Sequence, residues 1–475
     1  MKVLLVVHRF PPHGAAGTET YTETLALALA RSGHAVEVLA ARKDVGSRDL
    51  AVSRRVHRGI PVHEIANNLF HAGFRETWDE PRIDARFGAL LDELSPDIVH
   101  VQHLLWLSTG CLAEARKRSL PVMMTLHDYW LSCPRFGQRL HWDGGLCATI
   151  DYDRCGTCLA RFKYAQGPLE RRVGRAIAGV RDTFGLDLGP LARGARGAAD
   201  RLARGRAARP APAREPPDAD RSLERQLAGL ARERALSLLE RALAGVDHFA
   251  APSRFLRERF VEWGLPPERV EHLPFGVDRA SFASRPRRPR GPRVRVGFLG
   301  SLIPVKGAEL LLDAWERLEP ACRARGELVI AGPANLDPAH ASHLAHRARS
   351  LGAGLHGAVA RESVPEHLAS TDLLVVPSLW WENSPLVILE ALAARTPLLV
   401  ADQGGMAELV EPGRDGWRFA TGDADDLARH LAHVLDDPAR LDALSVGSAP
   451  LSTFDEHVAA LVARYRRLAG VRRVG

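Results

Sequence analysis

Long apolar runs, aromatic side chains and signs of a cleavable leader are scarce in this sequence. No stretch of about 18 apolar residues occurs, so the sequence predicts no membrane-spanning helix. The apolar opening at residues 1–7 runs directly into His8 and Arg9, where the apolar region of a secretory signal would continue. Aromatic residues make up only 6%, yet hydrophobic residues reach 46% and charged residues 25%, as in ordinary globular proteins. We therefore expect a cytoplasmic globular protein in which any contact with the inner face of the membrane is peripheral.

Net positive charge is missing from most of the chain, although the total is basic. The formal net charge is +7, and residues 171–210 alone contain ten Arg and three Asp, which gives 10 − 3 = +7. The near-neutral remainder argues against a nucleic-acid partner, which would need basic residues spread over one face. For the basic segment we keep two interpretations, contact with an anionic membrane surface and a solvated, partly disordered insert. Its glycines argue against a continuous helix and slightly favour the solvated insert.

Alternation of short apolar runs with amphipathic segments predicts an α/β protein with parallel sheets. Because 475 residues exceed one ordinary core, we expect two Rossmann-like domains that face each other across a central cleft. Predicted strands lie at residues 2–7, 36–40, 97–101, 122–126, 248–252 and 270–273, and then at 294–299, 327–331, 373–376 and 397–400. Predicted helices include residues 20–32, 222–243 and 454–468.

The domain boundaries follow from composition. The first domain covers residues 1–245, with a Cys-rich loop at 133–158 and the basic insert at about 165–220, where residues 207–217 are rich in Pro. Residues 246–292 form a connecting segment that ends in a basic, Pro-rich linker at 285–292. Residues 293–450 form the second domain, and residues 451–475 carry a C-terminal helix.

The strongest chemical motif is WENSPLVILE at residues 381–390. Ser384 suits a helix N-cap and Pro385 suits the first helical position, so backbone N–H groups would point out of this helix start toward an anion. Glu382 precedes the helix and Glu390 lies two turns into it, where one carboxylate can reach a sugar and the other a ribose. A capped helix with one solvated Glu is the alternative interpretation of this spacing.

Two glycine-containing loops follow predicted strands. In GFLGSLIPVKG (residues 297–307), Lys306 can neutralise charge that develops on a phosphate leaving group, although a surface lysine would look the same. In GAAGTE (residues 14–19), small residues permit close approach of a ligand, although a plain turn explains the pattern equally well. This spacing is not the GxGxxG fingerprint, which disfavours a nicotinamide-dependent oxidoreductase.

Three histidines and four cysteines also stand out. His8, His103 and His127 follow predicted strands, where α/β sheets gather their chemistry. For His8 and His103 we favour a role as polar lining of the cleft over contact with substrate. Cys133, Cys147, Cys155 and Cys158 could hold a structural zinc ion, and reduced thiols or one disulfide are the alternatives. Cys111 and Cys322 have the pattern of ordinary buried residues.

Taken in order, the motifs resemble those of glycosyltransferase family 4, whose members are retaining enzymes with the GT-B fold. The resemblance covers nearly the whole chain except roughly residues 165–240. Besides the two loops and the E-x7-E pair of Glu382 and Glu390, the matching segments are PDIVH (96–100), TLHD (125–128), APSR (251–254), LPFGVD (273–278) and GGMAE (404–408).

The resemblance implies a role for each matching residue. It implies catalytic contributions from His127, Lys306 and Glu382, with His127 near the reacting carbon of the donor sugar. It implies a donor site formed by Gly17, Ser301, Lys306, Glu382, Asn383, Ser384, Pro385, Leu386 and Glu390, in which Glu390 binds the ribose and residues 356–359 face the base. The implied partners are a nucleotide-diphosphate sugar for the second domain and a glycan or lipid-linked acceptor for the first.

The resemblance also implies a reaction that needs no metal cofactor, and no Asp-x-Asp pair suited to one is present. One position departs from the family, since Ser301 stands where an arginine is often found, and Arg254 is a candidate substitute. The implied function is transfer of a sugar in cell-surface polysaccharide or glycoconjugate synthesis. A non-catalytic nucleotide- or glycan-binding protein of the same fold is the alternative, and an epimerase of similar architecture lacks a matching motif.

Overall fold

The computed structural model describes residues 1–14, 16–184, 186, 221–448 and 451–473. Contacts divide the chain into two compact units, unit 1 (Met1–Phe249 and Tyr465–Gly475) and unit 2 (Ala250–Arg464). The predicted connecting segment at residues 246–292 therefore falls mostly in unit 2. The predicted Pro-rich loop at residues 207–217 and most of the basic insert lie outside the described residues.

The first sheet is mainly parallel. Its strands are β1 (Lys2–Val7), β2 (Ala35–Arg42), β3 (Val52–His57), β4 (Ile60–Ala66), β5 (Ile98–Val101), β6 (Val122–Thr125), β7 (His248–Ala251) and β8 (Val270–His272). They follow the order β3-β4-β2-β1-β5-β6-β7-β8, and the division between the units falls inside β7. In β1 the five residues after Lys2 are all buried, because a central parallel strand is covered on both faces.

In the described residues, seven helices accompany this sheet along the chain. They are α1 (Gly17–Arg31), α2 (Pro81–Leu94), α3 (Cys111–Lys117), α4 (Tyr152–Ala160), α5 (Pro168–Phe184), α6 (Arg221–Gly245) and α7 (Arg254–Trp263). The helix α5 corrects the sequence analysis, since Gly174 and Gly179 do not interrupt it. Gly174 sits so close to Phe70 that an added Cβ would lie 2.5 Å from its ring, so a small residue is needed there for packing.

The antiparallel pair β3 and β4 was not predicted. The two strands are joined by Arg58 and Gly59, which have φ angles of 51° and 85°. Two consecutive positive φ angles are the mark of a tight hairpin turn whose twist matches that of the strands. None of the six residues of β3 is buried, so this edge strand lacks the continuous apolar run that marks a strand in the pattern analysis.

The second sheet is fully parallel and lies in unit 2. Its strands are β9 (Val294–Leu299), β10 (Gly326–Ala331), β11 (Gly354–His356), β12 (Leu373–Val376), β13 (Leu398–Ala401) and β14 (Gly416–Phe419), in the order β11-β10-β9-β12-β13-β14. The pairing steps outward from β9 on both sides, so the strand order reverses between β9 and β12. This is the order of a Rossmann sheet.

The remaining helices complete unit 2. They are α8 (Arg279–Ala283), α9 (Ala308–Arg317), α10 (Pro320–Arg323), α11 (Pro338–Ser350), α12 (Val364–Ala369), α13 (Leu386–Ala393), α14 (Gly404–Leu409), α15 (Ala424–Asp436), α16 (Ala439–Asp442) and α17 (Phe454–Arg473), whose last turns belong to unit 1. The predicted α/β architecture with two Rossmann-like domains is confirmed. In the part of the chain that the structure describes, no helix is long and apolar enough to cross a bilayer.

Candidate functional site

The strand order of the second sheet predicts where a ligand binds. In an open parallel sheet, ligands bind beyond the carboxyl ends of the strands where the strand order reverses. That point lies between β9 and β12, and the loops that leave these two strands carry Lys306 and Glu382. Two motifs that lie 76 residues apart in the sequence therefore meet at one place.

Lys306 and Glu382 form an ion pair. Nζ of Lys306 lies 2.5 Å from Oε1 of Glu382, and the ammonium also lies 5.4 Å from the centre of the Trp380 ring. The hydroxyl of Ser378 donates to the same carboxylate oxygen at 2.9 Å. Glu382 is buried, whereas Lys306 is partly exposed, so the ammonium is the member of the pair that can turn toward an arriving anion.

Gln403 and two glycines hold the loop around Glu382 in place. The side-chain amide of Gln403 donates to the carbonyls of Ser378 and Trp380, at 2.7 and 3.1 Å. A Cβ at Gly405 would lie 1.4 Å from the carbonyl oxygen of Asn383, and Gly404 has a φ of 55°. The GG pair is thus a packing requirement of the loop, because any larger side chain would displace its backbone.

The start of α13 differs from the prediction in one respect. Pro385 is the N-cap and the helix begins at Leu386, so Ser384 is not the cap residue. The hydroxyl of Ser384 is instead buried with no hydrogen-bond partner, and the hydroxyl of Ser253 donates to Oδ1 of Asn383 at 2.8 Å. Since no side chain caps α13, its first N–H groups stay available for an anion.

Glu390 is buried on the second turn of α13. It pairs with Arg361, a residue that the sequence analysis did not identify, and the Arg361 side chain is half exposed. Burial raises the pKa of Glu390, while the charge of Arg361 and its hydrogen bond act in the opposite direction. A buried carboxylate with one exposed partner is suited to accept hydroxyl hydrogen bonds from a ligand.

Ser301 and Arg254 lie at the edges of this site. Ser301 is partly exposed in the turn after β9 and carries no positive charge. Arg254 begins α7, where Glu408 accepts hydrogen bonds from the N–H groups of Arg254 and Phe255. Its side chain is exposed, and the adjacent Ser253 is bonded to Asn383 as described above.

Unit 1 gathers a second polar cluster where its own strand order reverses, between β1 and β5. The rings of His8 and His103 meet edge to face, with centroids 4.6 Å apart. His8 lies 3.3 Å from a carboxylate oxygen of Glu19, and His103 lies 3.1 Å from one of Asp128. Because the N–H of Leu105 donates to Nδ1 of His103, the ring proton must be on Nε2, directed at Asp128.

The charges in this cluster are set by burial and pairing. Burial lowers the pKa of His8, and the neighbouring Glu19 opposes that effect. For Glu19, burial acts to raise the pKa, but His8 and Arg9 bring it below its ordinary value. One carboxylate oxygen of Glu19 and Nδ1 of His8 are buried without a hydrogen-bond partner, so the cluster has unused capacity for a polar ligand.

His127 and Gly17 border the same cluster. Nε2 of His127 lies 2.8 Å from Oε1 of Gln102, and the His127 ring packs edge to face against Tyr21. At Gly17 an added Cβ would meet nothing within 4 Å, which leaves open space at the start of α1. The role that the family resemblance implies for Gly17 stays a prediction.

The four clustered cysteines are all free thiols. Burial raises the pKa of Cys155 to about 12, and the nearby Cys133, Cys147 and Cys158 add to this rise. In the described parts of the chain, no three His, Cys, Asp or Glu side chains are gathered in a group that could hold a metal ion. The four thiols are therefore near one another without forming such a group, and the structural zinc stays a prediction.

Sequence reasoning missed the residues that support the site from a distance. Arg361, Ser378, Trp380 and Gln403 belong to no motif. Ser378 lies only four residues from its partner Glu382, whereas Arg361, Trp380 and Gln403 contact segments that are more distant in the sequence. Their only sequence signal is position, since they follow predicted strands or occupy the loops between them. Cys111 and Cys322, in contrast, are buried as expected.

Two family profiles match this chain. The profile described as "Glycosyltransferase Family 4" matches residues 15–179, and the profile described as "Glycosyl transferases group 1" matches residues 293–437. The first match includes Glu19, His103 and Asp128 of the polar cluster of unit 1 but not His8, and the second includes Lys306, Glu382 and Glu390 of the site of unit 2.

Among curated relatives, the D-inositol 3-phosphate glycosyltransferase of Kineococcus radiotolerans is 32% identical over 238 residues, which is 44% of this chain and 54% of that protein. The GDP-mannose-dependent alpha-(1-6)-phosphatidylinositol monomannoside mannosyltransferase of Mycolicibacterium smegmatis is 30% identical over 45% of this chain and 59% of that protein. The matched part thus spans about half the length of these relatives.

Solved structures share the fold over nearly the full length. Sucrose-phosphate synthase from Thermosynechococcus elongatus superposes with a TM-score of 0.62 at 17% identity, covering 99% of both chains. HepE from Anabaena, in complex with UDP and glucose, has a TM-score of 0.56 at 15% identity, covering 100% of this chain and 97% of that one. With two family profiles matched and the motifs in family order, the chain belongs to glycosyltransferase family 4 and has the GT-B fold.

Proposed function

We propose that this chain is a retaining glycosyltransferase, which moves a sugar from a nucleotide-diphosphate sugar to a hydroxyl group of a glycan, lipid-linked or other acceptor. The observation that carries the proposal is the Lys306–Glu382 pair at the point where the second sheet reverses its order, two turns from Glu390. Cell-surface polysaccharide or glycoconjugate synthesis is the proposed setting.

The donor would bind across the start of α13. Its diphosphate would accept hydrogen bonds from the backbone N–H groups of Asn383, Ser384 and Leu386. Lys306 would stabilise its negative charge, with Ser301 at the edge of the same loop. Glu390 would accept hydrogen bonds from the ribose hydroxyls, and Glu382 would contact the sugar. These roles are supported by the burial of both carboxylates and by the uncapped helix start.

The reaction breaks the bond between the anomeric carbon of the sugar and the diphosphate oxygen, and it forms a bond from that carbon to the acceptor oxygen. Negative charge grows on the diphosphate, and Lys306 with the helix N-terminus stabilises it. The acceptor proton passes to the leaving diphosphate, which lies on the same face as the incoming oxygen. Retention of the anomeric configuration follows from that same-face attack.

The polar cluster of unit 1 would receive the acceptor. His127 would hydrogen-bond the donor sugar near its anomeric carbon, and Gly17 would border the phosphate. Two relatives are named for action on inositol phosphate and on a phosphatidylinositol mannoside, which supports an acceptor with a polyhydroxylated ring. The unused hydrogen-bonding capacity of Glu19 and His8 suits hydroxyl groups of such a ring.

Thermal stability with UDP, GDP or ADP tests the donor site first. A nucleotide that binds only the native state raises the Tm. At a nucleotide concentration of one hundred times Kd, it adds about 2.7 kcal/mol to the free energy of unfolding. We expect one nucleotide to raise the Tm of the wild type and to have no effect on Glu390→Ala. The matched control is Glu319→Ala, an exposed glutamate of unit 2, which should keep the full shift.

Sugar transfer tests the chemistry. With the donor named by the Tm shift, Lys306→Ala should lower kcat by about a hundredfold or more, because it removes a cation from the developing charge. The exposed Lys117→Ala serves as control, and NMR of the product should show the anomeric configuration of the donor. Inversion of that configuration would overturn the retaining mechanism.

A non-catalytic binding protein is the second candidate, and the observation that favours it is the absence of an arginine at Ser301. It predicts a Tm shift without transfer or donor hydrolysis. The decisive result for this candidate has two parts. The wild type shows no turnover with a broad acceptor panel, and the variant Ser301→Arg does show turnover.

A further inference from the structure

The helix α5 presents an apolar face to solvent. Leu169, Val173 and Phe184 are 74%, 50% and 71% exposed. They lie four and eleven residues apart, and Val180 falls between them, so all four share one side of the helix. Surface helices of globular proteins normally direct such a stripe toward the core. An exposed apolar stripe therefore indicates an interaction surface.

The opposite face of α5 is already occupied. Gly174 and Ala178 pack toward unit 1, with Gly174 against Phe70. Arg171 donates to the carbonyl of His71 at 3.1 Å, and Arg181 donates to the carbonyl of Gly46 at 3.2 Å. These contacts fix the rotation of the helix about its axis, so the apolar stripe cannot turn inward.

A cavity of about 700 Å³ lies beside α5 and is rimmed by arginines. Its floor consists of the buried Leu50, Phe70 and Ala178. The cationic rim is formed by Arg48, Arg82, Arg86 and Arg175, against a single lining carboxylate, Asp49.

Most of this positive charge is uncompensated. Arg82 pairs with Glu80, but among the described residues no carboxylate lies within 4.0 Å of the guanidinium groups of Arg48, Arg86 or Arg175. Arginine is well suited to bidentate binding of phosphate oxygens. The cavity therefore has the chemistry of an anionic headgroup site, with an apolar floor below it.

We propose that α5 and this cavity dock unit 1 on an anionic lipid bilayer, with the apolar stripe entering the interface and the arginines binding lipid phosphates. A bilayer surface offers both apolar depth and negative charge, which is the combination that a basic amphipathic helix recognises. A second copy of the chain would oppose arginine to arginine across this face. Residues 187–220 carry seven Arg and five Asp or Glu, 7 − 5 = +2, so their net charge does not complement the cavity either.

Vesicle flotation with the full chain tests the docking. The probes are vesicles of phosphatidylcholine alone and of phosphatidylcholine with about one third phosphatidylglycerol, at low and high salt. We expect binding to the anionic vesicles only, weakened by salt because exposed charges are screened. Equal binding to both vesicles, or no binding, would overturn the proposal.

Two pairs of variants assign the surface. The double variant Val173→Ser/Phe184→Ser should weaken binding to the anionic vesicles by about tenfold or more, because less apolar surface is buried in the bilayer. Arg48→Gln with Arg86→Gln should weaken it by roughly fivefold for each charge lost. All four side chains are exposed, so the fold and the nucleotide-induced Tm shift should be kept.

Matched controls make the same chemical changes elsewhere. Val52→Ser with Val56→Ser removes two exposed valines of β3, and Arg31→Gln with Arg349→Gln removes two exposed charges. Both should stay within about twofold of the wild type. Three outcomes would reject the bilayer as occupant. The first is an equal loss of vesicle binding in the controls, and the second is a wild-type dimer that dissociates in the Val173/Phe184 double variant. The third is vesicle binding that appears only after deletion of residues 187–220.

Discussion

A single guanidinium compensates the burial of Glu390. Among the described residues, Arg361 is the cation paired with this carboxylate, and burial already raises the carboxylate pKa above its ordinary value. In the proposed donor complex, the ribose of the nucleotide would contact the same carboxylate of Glu390 that Arg361 contacts in the free protein. Arg361 thus lies outside every motif and yet opposes the rise that burial causes in the pKa of a motif residue.

Arg361→Ala should raise the pKa of Glu390 further and destabilise the fold by about 1–2 kcal/mol at neutral pH, less than for a fully buried pair because Arg361 is half exposed. A carboxylate with a raised folded-state pKa favours the folded state below its unfolded pKa, and that contribution is lost as pH rises through the folded pKa. The Tm difference between wild type and variant should therefore be larger at pH 7.5 than at pH 5. Arg361→Lys should recover most of the loss, and a pH-independent difference would contradict the assignment.

At the scale of elements, α6 anchors the loop that follows β6. Arg234 of α6 is fully buried, and its guanidinium donates to the carbonyls of Trp130 and Leu131, at 2.7 and 3.3 Å. Burial lowers its pKa to about 10, so it remains charged at neutral pH. Gly156 of α4 lies against the backbone of Glu224 on α6, so the Cys-rich segment is packed on the same helix.

Arg234→Met should destabilise the protein by about 2–3 kcal/mol, because two carbonyls that accept charged hydrogen bonds lose their donor. The exposed Arg232→Met, two positions away on α6, should change stability by less than about 1 kcal/mol. Chemical denaturation measures both. If the two variants were equally stable, the buried guanidinium would not be anchoring the loop.

At the scale of the whole molecule, unit 1 contains both the first residues of the chain and the last ones. Residues 465–475 group with unit 1, and the hydroxyl of Tyr465 lies 2.5 Å from Nδ1 of His100, a fully buried residue of β5. Nε2 of the same histidine lies 2.8 Å from the hydroxyl of Thr125 in β6. The core of unit 1 is therefore completed only when the last helix is in place.

Truncation after Arg464 should destabilise unit 1 selectively. Loss of buried Tyr465 removes a large side chain and leaves His100 without one partner, a cost of about 3–5 kcal/mol. Hydrogen exchange should accelerate in β5 and β6 and stay unchanged in β9 and β12. Tyr465→Phe, which keeps the packing, should show about 1 kcal/mol of that loss, and uniform acceleration in both sheets would contradict the prediction.

Local sequence patterns predicted the strands well and the supporting contacts poorly. Residues 2–7, 294–299 and 373–376 are strands with the predicted bounds, because continuous apolar runs mark strands buried on both faces. The hairpin β3–β4 was missed because β3 is an exposed edge. The helix α5 was missed because its glycines were interpreted as interruptions, although Gly174 serves packing against Phe70. The N-cap prediction for Ser384 was wrong because the helix starts one residue later than predicted, at Leu386, with Pro385 as the N-cap.

The sequence by itself determined the fold class, the family and the identity of the motif residues, since these depend on periodicity and short spacings within one segment. Only the tertiary structure decided which residues meet. Lys306 reaches Glu382 across 76 positions and His100 reaches Tyr465 across 365, because strand order and chain return bring these segments together. No local pattern encodes such a pairing, since it depends on the packing of every intervening element.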